Sequence, residues 1–217
     1  MTDTCGNDYQ VVSFLQKIIR RLLRKPQFRR LVIVAKTLDG SLTAYQARIP
    51  FDFEELPQDV QKIEASLAHI PAEHRNDIGR RVHRGDLCHI AKRNGQIIFV
   101  SWIAFGDCYS YAMDKEYELA DNEAYLYSAY TLPEFRGNGI YPAVHSQSLR
   151  LLKDLGYKRI LAFIASENSA AMRMPEKLGY DKVGTTGFIE MFGFRWYFHE
   201  DRGAFNALKR RNYWRKL

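Results

Sequence analysis

The most constraining feature of this chain is a fifteen-residue stretch, YSAYTLPEFRGNGIY, at positions 127–141. Its first half has the aromatic and β-branched character of a strand, and an RGNG turn at 136–139 follows. A helical pattern then begins, with Pro142 where the first helical turn should be. A glycine-rich turn that opens a helix presents backbone N–H groups to an anion. The stretch therefore predicts a site for a phosphorylated cofactor.

Two common phosphate motifs do not match this turn. A P-loop would need a Lys-Ser/Thr pair where Ile140 and Tyr141 stand, and a dinucleotide fingerprint would need a third glycine. The turn by itself therefore predicts an anion site without naming the cofactor.

Hydrophobic periodicity predicts alternating strands and helices. The expected strands are 30–37, 43–50, 87–93, 96–105, 123–131, 159–166, 180–184 and 188–198. The expected helices are 9–24, 57–70, 71–84, 142–155 and a short helix between Asn168 and Gly179. Asp39-Gly40 predicts a hairpin of the first two strands, Asn94-Gly95 predicts a second hairpin, and 107–121 is expected to be a polar connection. The pattern indicates one α/β domain with terminal extensions.

The charge is concentrated at the two ends of the chain. The net charge of +7 arises from basic ends on a mildly acidic body, since 17–30 and 202–217 contain lysines and arginines and no acid. The helix at 9–24 is amphipathic, so it could either bind an anionic membrane surface or dock on its own domain. No DNA-binding pattern accompanies the basic tail, so we do not expect nucleic acid as a partner.

Cysteine content and hydropathy indicate the cellular location that we expect. The three cysteines, Cys5, Cys88 and Cys108, do not form a disulfide framework or a zinc pattern. No apolar run approaches the roughly 20 residues of a membrane-spanning helix. We therefore expect a cytoplasmic protein without a metal, with the two cysteines of the body packed in the core.

A second motif lies 32 residues beyond Arg136: Asn168 opens a short helix that ends in Lys177-Leu178-Gly179-Tyr180. Together, the two motifs resemble the acyl-CoA and Asn-helix signatures of the GCN5-related N-acetyltransferase (GNAT) family, including uncharacterised bacterial members. The resemblance implies a mixed, mostly antiparallel sheet flanked by helices, with a central parallel pair, 123–131 and 159–166, splayed to admit CoA. It divides the chain into a basic amphipathic helix at 1–29, an acyltransferase domain at 30–200 and a basic aromatic tail at 201–217.

The resemblance also implies a set of cofactor-binding residues for acetyl-CoA. Backbone N–H groups near Tyr130 and Thr131 would polarise the thioester carbonyl, and Asn168 would touch the pantetheine or thiol end. The pyrophosphate would be held by the amides of the turn and first helical residues: Arg136, Gly137, Asn138, Gly139, Ile140 and Tyr141.

The catalytic groups are less well marked than the cofactor site. Glu123, thirteen residues before Arg136, stands where the histone-acetylating branch of the family carries its general base, although an acid at a strand start is often only solvated. The family's usual proton donor, a tyrosine seven residues after the Asn, is replaced by Pro175, which should also interrupt the helix. Tyr127, Tyr130 and Tyr141 are the alternative acids, and His145 is expected to be an ordinary helix residue.

The resulting hypothesis is an acetyl-CoA-dependent N-acetyltransferase that acts on an amine, such as an amino sugar or another small amine. Two alternatives remain open: a long-chain N-acyltransferase at a membrane surface, and a non-catalytic CoA-binding module. The aromatic run at 188–198 could line an acceptor pocket or form a hairpin core. The acceptor and the oligomeric state are left open.

Overall fold

The structure is a computed structural model that describes residues 25–192 and 194–201. Its strands are β1 Gln27–Thr37, β2 Asp52–Glu55, β3 Leu87–Arg93, β4 Gln96–Phe105, β5 Asp107–Ser110, β6 Lys115–Glu118, β7 Glu123–Thr131, β8 Arg159–Ala165, β9 Asp181–Met191 and β10 Phe194–Asp201. Its α-helices are α1 Val60–Ser66, α2 Ile78–His83, α3 Ile140–Asp154, α4 Ser169–Met172 and α5 Met174–Leu178. Short 3-10 helices span Ala72–His74 and Pro133–Phe135. The predicted helix at 9–24 and the tail at 202–217 lie outside the described residues.

Eight of these strands form one sheet, in the order β10-β9-β1-β8-β7-β4-β3-β2. The β7–β8 pair is parallel, and the other described pairs of the sheet are antiparallel. The mixed sheet with a central parallel pair and flanking helices confirms the predicted fold class. β5 and β6 form a separate hairpin beside the sheet.

The sheet is covered on both faces, which explains the nearly continuous apolar runs of its central strands. On one face, Ile63 of α1 and Ile78 of α2 pack in a cluster with Trp102, Tyr125 and residues of several other strands. On the other face, α3 and α5 pack in a cluster with Val34, Leu126 and their neighbours. The sheet is therefore the middle layer of a three-layer α/β structure.

Local signals place several elements correctly. Asn94 and Gly95 have positive φ angles of 51° and 79°, as a tight turn between β3 and β4 requires. Gly156, with φ of 91°, follows the C-terminal end of α3. The predicted strands 87–93, 96–105 and 123–131 are confirmed to the residue.

The predicted hairpin at 30–50 is wrong. Residues 43–50 form no strand, and β1 instead lies between β8 and β9. The physical reason is burial: the five consecutive residues Leu31–Ala35 are each at most 5% exposed, so both faces of β1 need covering and the strand must be central. An edge hairpin would have left one of these apolar faces in water.

Other predicted boundaries differ by less. The helices expected at 57–70 and 71–84 shrink to α1, one 3-10 turn and α2, and the connection expected at 107–121 contains the β5–β6 hairpin. The last two strands divide at a different place than predicted, because β9 runs without a break from Asp181 to Met191 and β10 begins only at Phe194. Pro175 is expected to interrupt its helix, and the chain does divide into α4 and α5 at Arg173, two residues before Pro175, which lies in the first turn of α5.

Candidate functional site

The central feature of the site is a gap between the two parallel strands. Pairing of β7 with β8 covers four residue pairs and ends at Leu126 opposite Ala162. β7 continues to Thr131, still paired with β4, while β8 runs on beside β1. Beyond Leu126, the edge of β7 that faced β8 has no strand partner, so its backbone groups are open to a ligand.

A bulge bends β7 at the start of this gap. Val100 pairs with Tyr130 and Trp102 with Tyr127, so one residue of β4 faces two residues of β7. Ser128 adopts a φ of 53°, which is uncommon for a residue other than glycine. The bulge gives the physical cause of the separation, because it turns the second half of β7 away from the direction set by β8.

The predicted phosphate turn follows directly on the open end of β7. Gly137 and Gly139 have φ of 79° and 74°, and Gly139 is the N-cap of α3 without any side-chain cap. The N–H groups of the first helical turn therefore face the turn without a capping oxygen. The side chain of Asn138 points inward and donates from Nδ2 to the carbonyl oxygen of Phe135 at 3.1 Å, which holds the turn in shape.

A segment that sequence reasoning treated as a strand crosses this turn. The N–H of Arg48 donates to the carbonyl oxygen of Asn138 at 2.8 Å. A Cβ atom built on Gly139 would lie 3.4 Å from the carbonyl oxygen of Gln46. Residues 46–48 therefore support the turn from behind, while the positive φ of 74° is what favours glycine at 139.

Arg136, Tyr130 and His74 form a stack at the open end of β7. The Arg136 guanidinium lies 5.5 Å from the centre of the Tyr130 ring, and its Nε donates to the carbonyl oxygen of Thr131 at 3.1 Å. The rings of Tyr130 and His74 are stacked at 4.3 Å, and burial lowers the pKa of His74. The stack fixes Tyr130 and Thr131 beside the gap, and their contact with a thioester stays a prediction.

The remaining predicted cofactor residues have mixed surroundings. Ile140 is 2% exposed, so only its backbone could reach a ligand. Tyr141 is half-buried and stacks on His145 with ring centroids 5.5 Å apart. Asn168 follows β8, and its Oδ1 accepts from the N–H of Ala171 at 3.0 Å as the cap of α4. Its side chain therefore has a structural partner already, and its contact with pantetheine stays a prediction.

Glu123 lies at the first residue of β7, opposite Arg159 of β8. Its carboxylate accepts from Arg159 Nη1 at 3.1 Å and from the N–H of Ala120 at 3.2 Å, and the residue is 5% exposed. Four residues of extended strand, about 13 Å, separate it from Tyr127 at the start of the gap. Its role as general base stays a prediction.

One buried polar cluster at the gap was missed by sequence reasoning as a unit. The hydroxyl of Tyr127 donates to Oδ2 of Asp86 at 2.5 Å, and Arg84 Nη2 donates to the same oxygen at 2.6 Å. Asp86 is 0% exposed, and the buried guanidinium of Arg81 lies 5.1 Å from the centre of the Tyr127 ring. Tyr127 stood among the alternative acids, but no local signal joins it to a residue 41 positions earlier.

Other titratable candidates are held in the core. Burial raises the pKa of the Cys108 thiol to about 12, and Cys88 is likewise a buried free thiol, so neither is an activated nucleophile. His145 is 2% exposed, burial lowers its pKa to about 3, and its Nε2 lies 2.7 Å from the hydroxyl of Tyr180. His145 is thus a neutral core residue, in line with the ordinary role expected of it.

The aromatic run at 188–198 divides between core and surface. Phe188 is buried, whereas Phe194 and Trp196 are exposed. The hydroxyl of Tyr197 donates to the carbonyl oxygen of Met113, so β10 contacts the turn of the β5–β6 hairpin. That hairpin also contacts α2, through an ion pair between Glu116 and Arg80 at 2.9 Å. The β5–β6 hairpin therefore connects β10 with α2 and packs in the same cluster as Tyr127.

Two absences concern residues 25–192 and 194–201. No group of three His, Cys, Asp or Glu side chains in this part of the chain could hold a metal ion. None of its helices has the length and apolar character needed to cross a membrane.

Comparison with known proteins agrees with this geometry. No curated protein matches the chain. A GCN5-related N-acetyltransferase from Sphaerobacter thermophilus superposes with a TM-score of 0.56 at 14% identity, over 86% of this chain and 56% of that one. A Drosophila protein gives a TM-score of 0.53 at 14% identity, over 86% and 58%, and a Kribbella flavida GCN5-related N-acetyltransferase gives 0.52 at 14%, over 92% and 65%. The chain thus spans less than two thirds of each of these solved chains, and at this identity the likeness concerns the fold.

The sequence itself matches the model of the Acetyltransferase (GNAT) family over residues 50–180. This range is more than half of the chain and contains the gap, the turn, the Tyr127 cluster and the Asn168 helix. The chain therefore belongs to the GNAT acetyltransferase family.

Proposed function

We propose that the protein transfers an acetyl group from acetyl-CoA to the amine of an acceptor. The observation that carries this proposal is the gap between β7 and β8, which opens next to an uncapped helix N-terminus. A thioester in the gap and a pyrophosphate at the turn would belong to one acyl-CoA molecule, in which the pantetheine arm joins the two groups. Membership of the family supports the same donor.

The proposed cofactor contacts follow from this placement. The amides of Arg136, Gly137, Asn138, Gly139, Ile140 and Tyr141 bind the pyrophosphate, and the helix N-terminus adds its favourable potential. Backbone N–H groups near Tyr130 and Thr131 donate to the thioester carbonyl, and Asn168 contacts the pantetheine. Pro142 has no N–H, so the row of donors ends at Tyr141.

The reaction proposed is direct attack of a neutral amine on the thioester carbonyl. Negative charge on the carbonyl oxygen is stabilised by the N–H donors of the open β7 edge. The tetrahedral intermediate expels the CoA thiolate, which must be protonated, and the amine must lose a proton. Because Pro175 stands at the position of the usual family acid, another group has to serve the thiolate.

The proposal is tested by measuring thiol release from acetyl-CoA with a panel of primary amines, which includes amino sugars, polyamines and amino-acid amides. We expect acetyl-CoA to raise the melting temperature and thiol release to depend on the amine. Binding without turnover of any amine would favour the non-catalytic module. The absence of any acetyl-CoA effect on melting, together with no thiol release, would refute the proposed function.

An acyl-CoA series of increasing chain length separates acetyl transfer from its long-chain alternative. We expect acetyl-CoA to give the highest kcat/KM, and a preference for long chains would favour the membrane acyltransferase. Peripheral membrane contact through residues 1–29 stays a prediction, for which vesicle co-sedimentation of the full chain, compared with a variant lacking residues 1–24, is the matching test.

A further inference from the structure

We infer that Tyr127 and Asp86 form a proton relay, in which Tyr127 takes the proton of the acceptor amine and passes its own proton to Asp86. The inference rests on the proposed acetyl transfer, and it identifies the group that replaces both the predicted base and the missing acid. Tyr127 is the catalytic residue of the pair, because it is the one that lies where the β7–β8 pairing ends and the gap begins. Asp86 acts through Tyr127 and is a positioning residue that holds the proton.

The first argument is position. Leu126 is the last residue of β7 that pairs with β8, so Tyr127 stands at the point where the two strands part. Its side chain lies on the same face as Tyr125, with the two rings stacked at 5.5 Å, opposite the face covered by α3. The residue is 9% exposed, and the hydrogen bond of its hydroxyl to Asp86 is buried.

The second argument is the hydrogen-bond pattern. The phenol donates to Asp86 Oδ2 at 2.5 Å, a short bond of the charge-assisted kind. A tyrosine hydroxyl that donates in this way still has an acceptor lone pair, which can take a proton from an amine. Arg84 donates to both carboxylate oxygens, from Nη2 at 2.6 Å and from Nε at 3.4 Å, and so holds Asp86 in place.

The third argument is the local charge. Asp86 is compensated by Arg84, and the buried Arg81 adds a second cation that is also packed over Trp102 at 4.9 Å. The cluster therefore carries one net positive charge in a region of low dielectric constant. Such a field disfavours an ammonium ion relative to a neutral amine, and it favours the negative oxygen of the tetrahedral intermediate.

The titratable and charged groups that face Tyr127 are Asp86, Arg84 and Arg81, with Tyr125 stacked on its ring. Burial, followed by the negative charge of Asp86, raises the pKa of Tyr127 well above its usual value. The phenol is therefore neutral at rest and donates its proton only as it receives another. This is the behaviour of a relay, not of a phenolate base.

The proton balance closes over one turnover. The amine N–H bond breaks and a new O–H bond forms on Tyr127, while the former Tyr127 proton forms an O–H bond on Asp86. When the C–S bond breaks, the same transfer in reverse delivers one proton to the CoA thiolate, whose conjugate thiol is a much weaker acid than a carboxylic acid. The pair ends as it began, and no acid at position 175 is needed.

The test compares Tyr127→Phe with the matched control Tyr125→Phe. Both variants remove one hydroxyl from a buried tyrosine on the same strand and face and leave the stacked rings in place. We expect Tyr127→Phe to lower kcat by about 10²- to 10⁴-fold, the usual contribution of general acid–base catalysis. The KM for acetyl-CoA should change little, and the melting temperature of Tyr127→Phe should fall because the buried Asp86 loses one hydrogen bond. Tyr125→Phe should keep kcat within about twofold of the wild type.

The pH profile gives a readout that a structural role would not move. In the wild type, kcat should reach a plateau as pH rises, whereas in Tyr127→Phe it should keep rising with pH because solvent hydroxide must remove the proton. Asp86→Asn should give the same profile. If Asp86→Asn does not fold, the pH profile of Tyr127→Phe alone tests the relay.

Three outcomes overturn parts of this reasoning separately. An active wild type with an unchanged kcat in Tyr127→Phe refutes the relay alone. A large loss of kcat in Glu123→Gln, with none in Tyr127→Phe, returns the proton-accepting role to Glu123. A wild type that turns over no amine refutes the proposed function, and the relay with it.

Discussion

Gly139 gives the sharpest test of the cofactor site, through substitution by alanine. The residue has φ of 74° and ψ of 17°, a left-handed conformation that costs a residue with a Cβ about 1–2 kcal/mol. The new Cβ would lie 3.4 Å from the carbonyl oxygen of Gln46 and 3.6 Å from Cα of Ala47, which is ordinary contact. The backbone conformation, and not a clash, is therefore what the substitution disturbs.

Gly95→Ala is the matched control, because Gly95 has φ of 79° and no atom within 4 Å of the added Cβ. Both variants should lose about 1–2 kcal/mol of unfolding free energy, a shift of about 2–4 °C in melting temperature per kcal/mol for a chain of this size. Only Gly139→Ala should weaken acetyl-CoA binding. Its turn can relieve the strain only by rotating amides of the phosphate site.

The expected loss of acetyl-CoA affinity is estimated from the loss of one hydrogen bond. A hydrogen bond to a charged group contributes about 1.5–3 kcal/mol. Loss of one amide–pyrophosphate bond therefore raises the Kd of acetyl-CoA by about tenfold to a hundredfold. Isothermal titration calorimetry with both variants measures this directly. An unchanged Kd in Gly139→Ala, or the same weakening in Gly95→Ala, would refute the assignment of the turn to the pyrophosphate.

Three further predictions concern stability. Burial lowers the pKa of His145 to about 3 and of His89 to about 4; the unfolded chain therefore takes up these protons first, and stability should fall as pH drops from about 6.5 towards 3–4, by up to about 1.4 kcal/mol per pH unit for each histidine. When the free energy of unfolding is measured by urea titration at several pH values, its dependence on pH should be weaker in His145→Gln than in the wild type. The exposed His83→Gln should keep the pH dependence of the wild type. Glu123→Gln should lower the free energy of unfolding by about 1–3 kcal/mol through loss of its charged bond to Arg159, while the exposed Asp121→Asn should not, and equal unfolding midpoints would contradict this. Gly187→Ala places a Cβ 2.2 Å from the carbonyl oxygen of Arg29, so it should cost about 3 kcal/mol in denaturant titration, whereas Gly79→Ala in α2, with nothing within 4 Å, should be neutral or stabilising.

The elements that sequence reasoning predicted well are those defined by neighbours along the chain. The Asn94-Gly95 turn joins two strands whose bounds agree with their apolar pattern, and α3 begins after the two glycines of the turn and ends just before Gly156. The position of the phosphate turn and the break at Pro175 also follow from local conformational preferences. Residue types and short spacings along the chain are sufficient to predict these parts of the fold.

Pairing partners were predicted less well, because a strand pattern reports burial and not the identity of the neighbour. The pattern of 43–50 resembles a strand, yet β1 pairs with β8 and β9, more than a hundred residues later in the chain. The same limit applies to the site. Tyr127 and Asp86 meet only because β4 pairs with both β3 and β7, which brings the turn before β3 within reach of the Tyr127 side chain across one face of the sheet.

The sequence by itself determined the family, the strand–turn–helix of the proposed cofactor site and the absence of the usual proton donor at 175, since each of these depends on residue type and spacing. Only the tertiary structure decided where β7 leaves β8 and which side chain stands at that point. It also decided that Glu123 is paired with Arg159 while Tyr127 is paired with Asp86. The physical reason is that a proton relay depends on contacts of about 2.5 Å between distant segments, which packing of the whole sheet brings together.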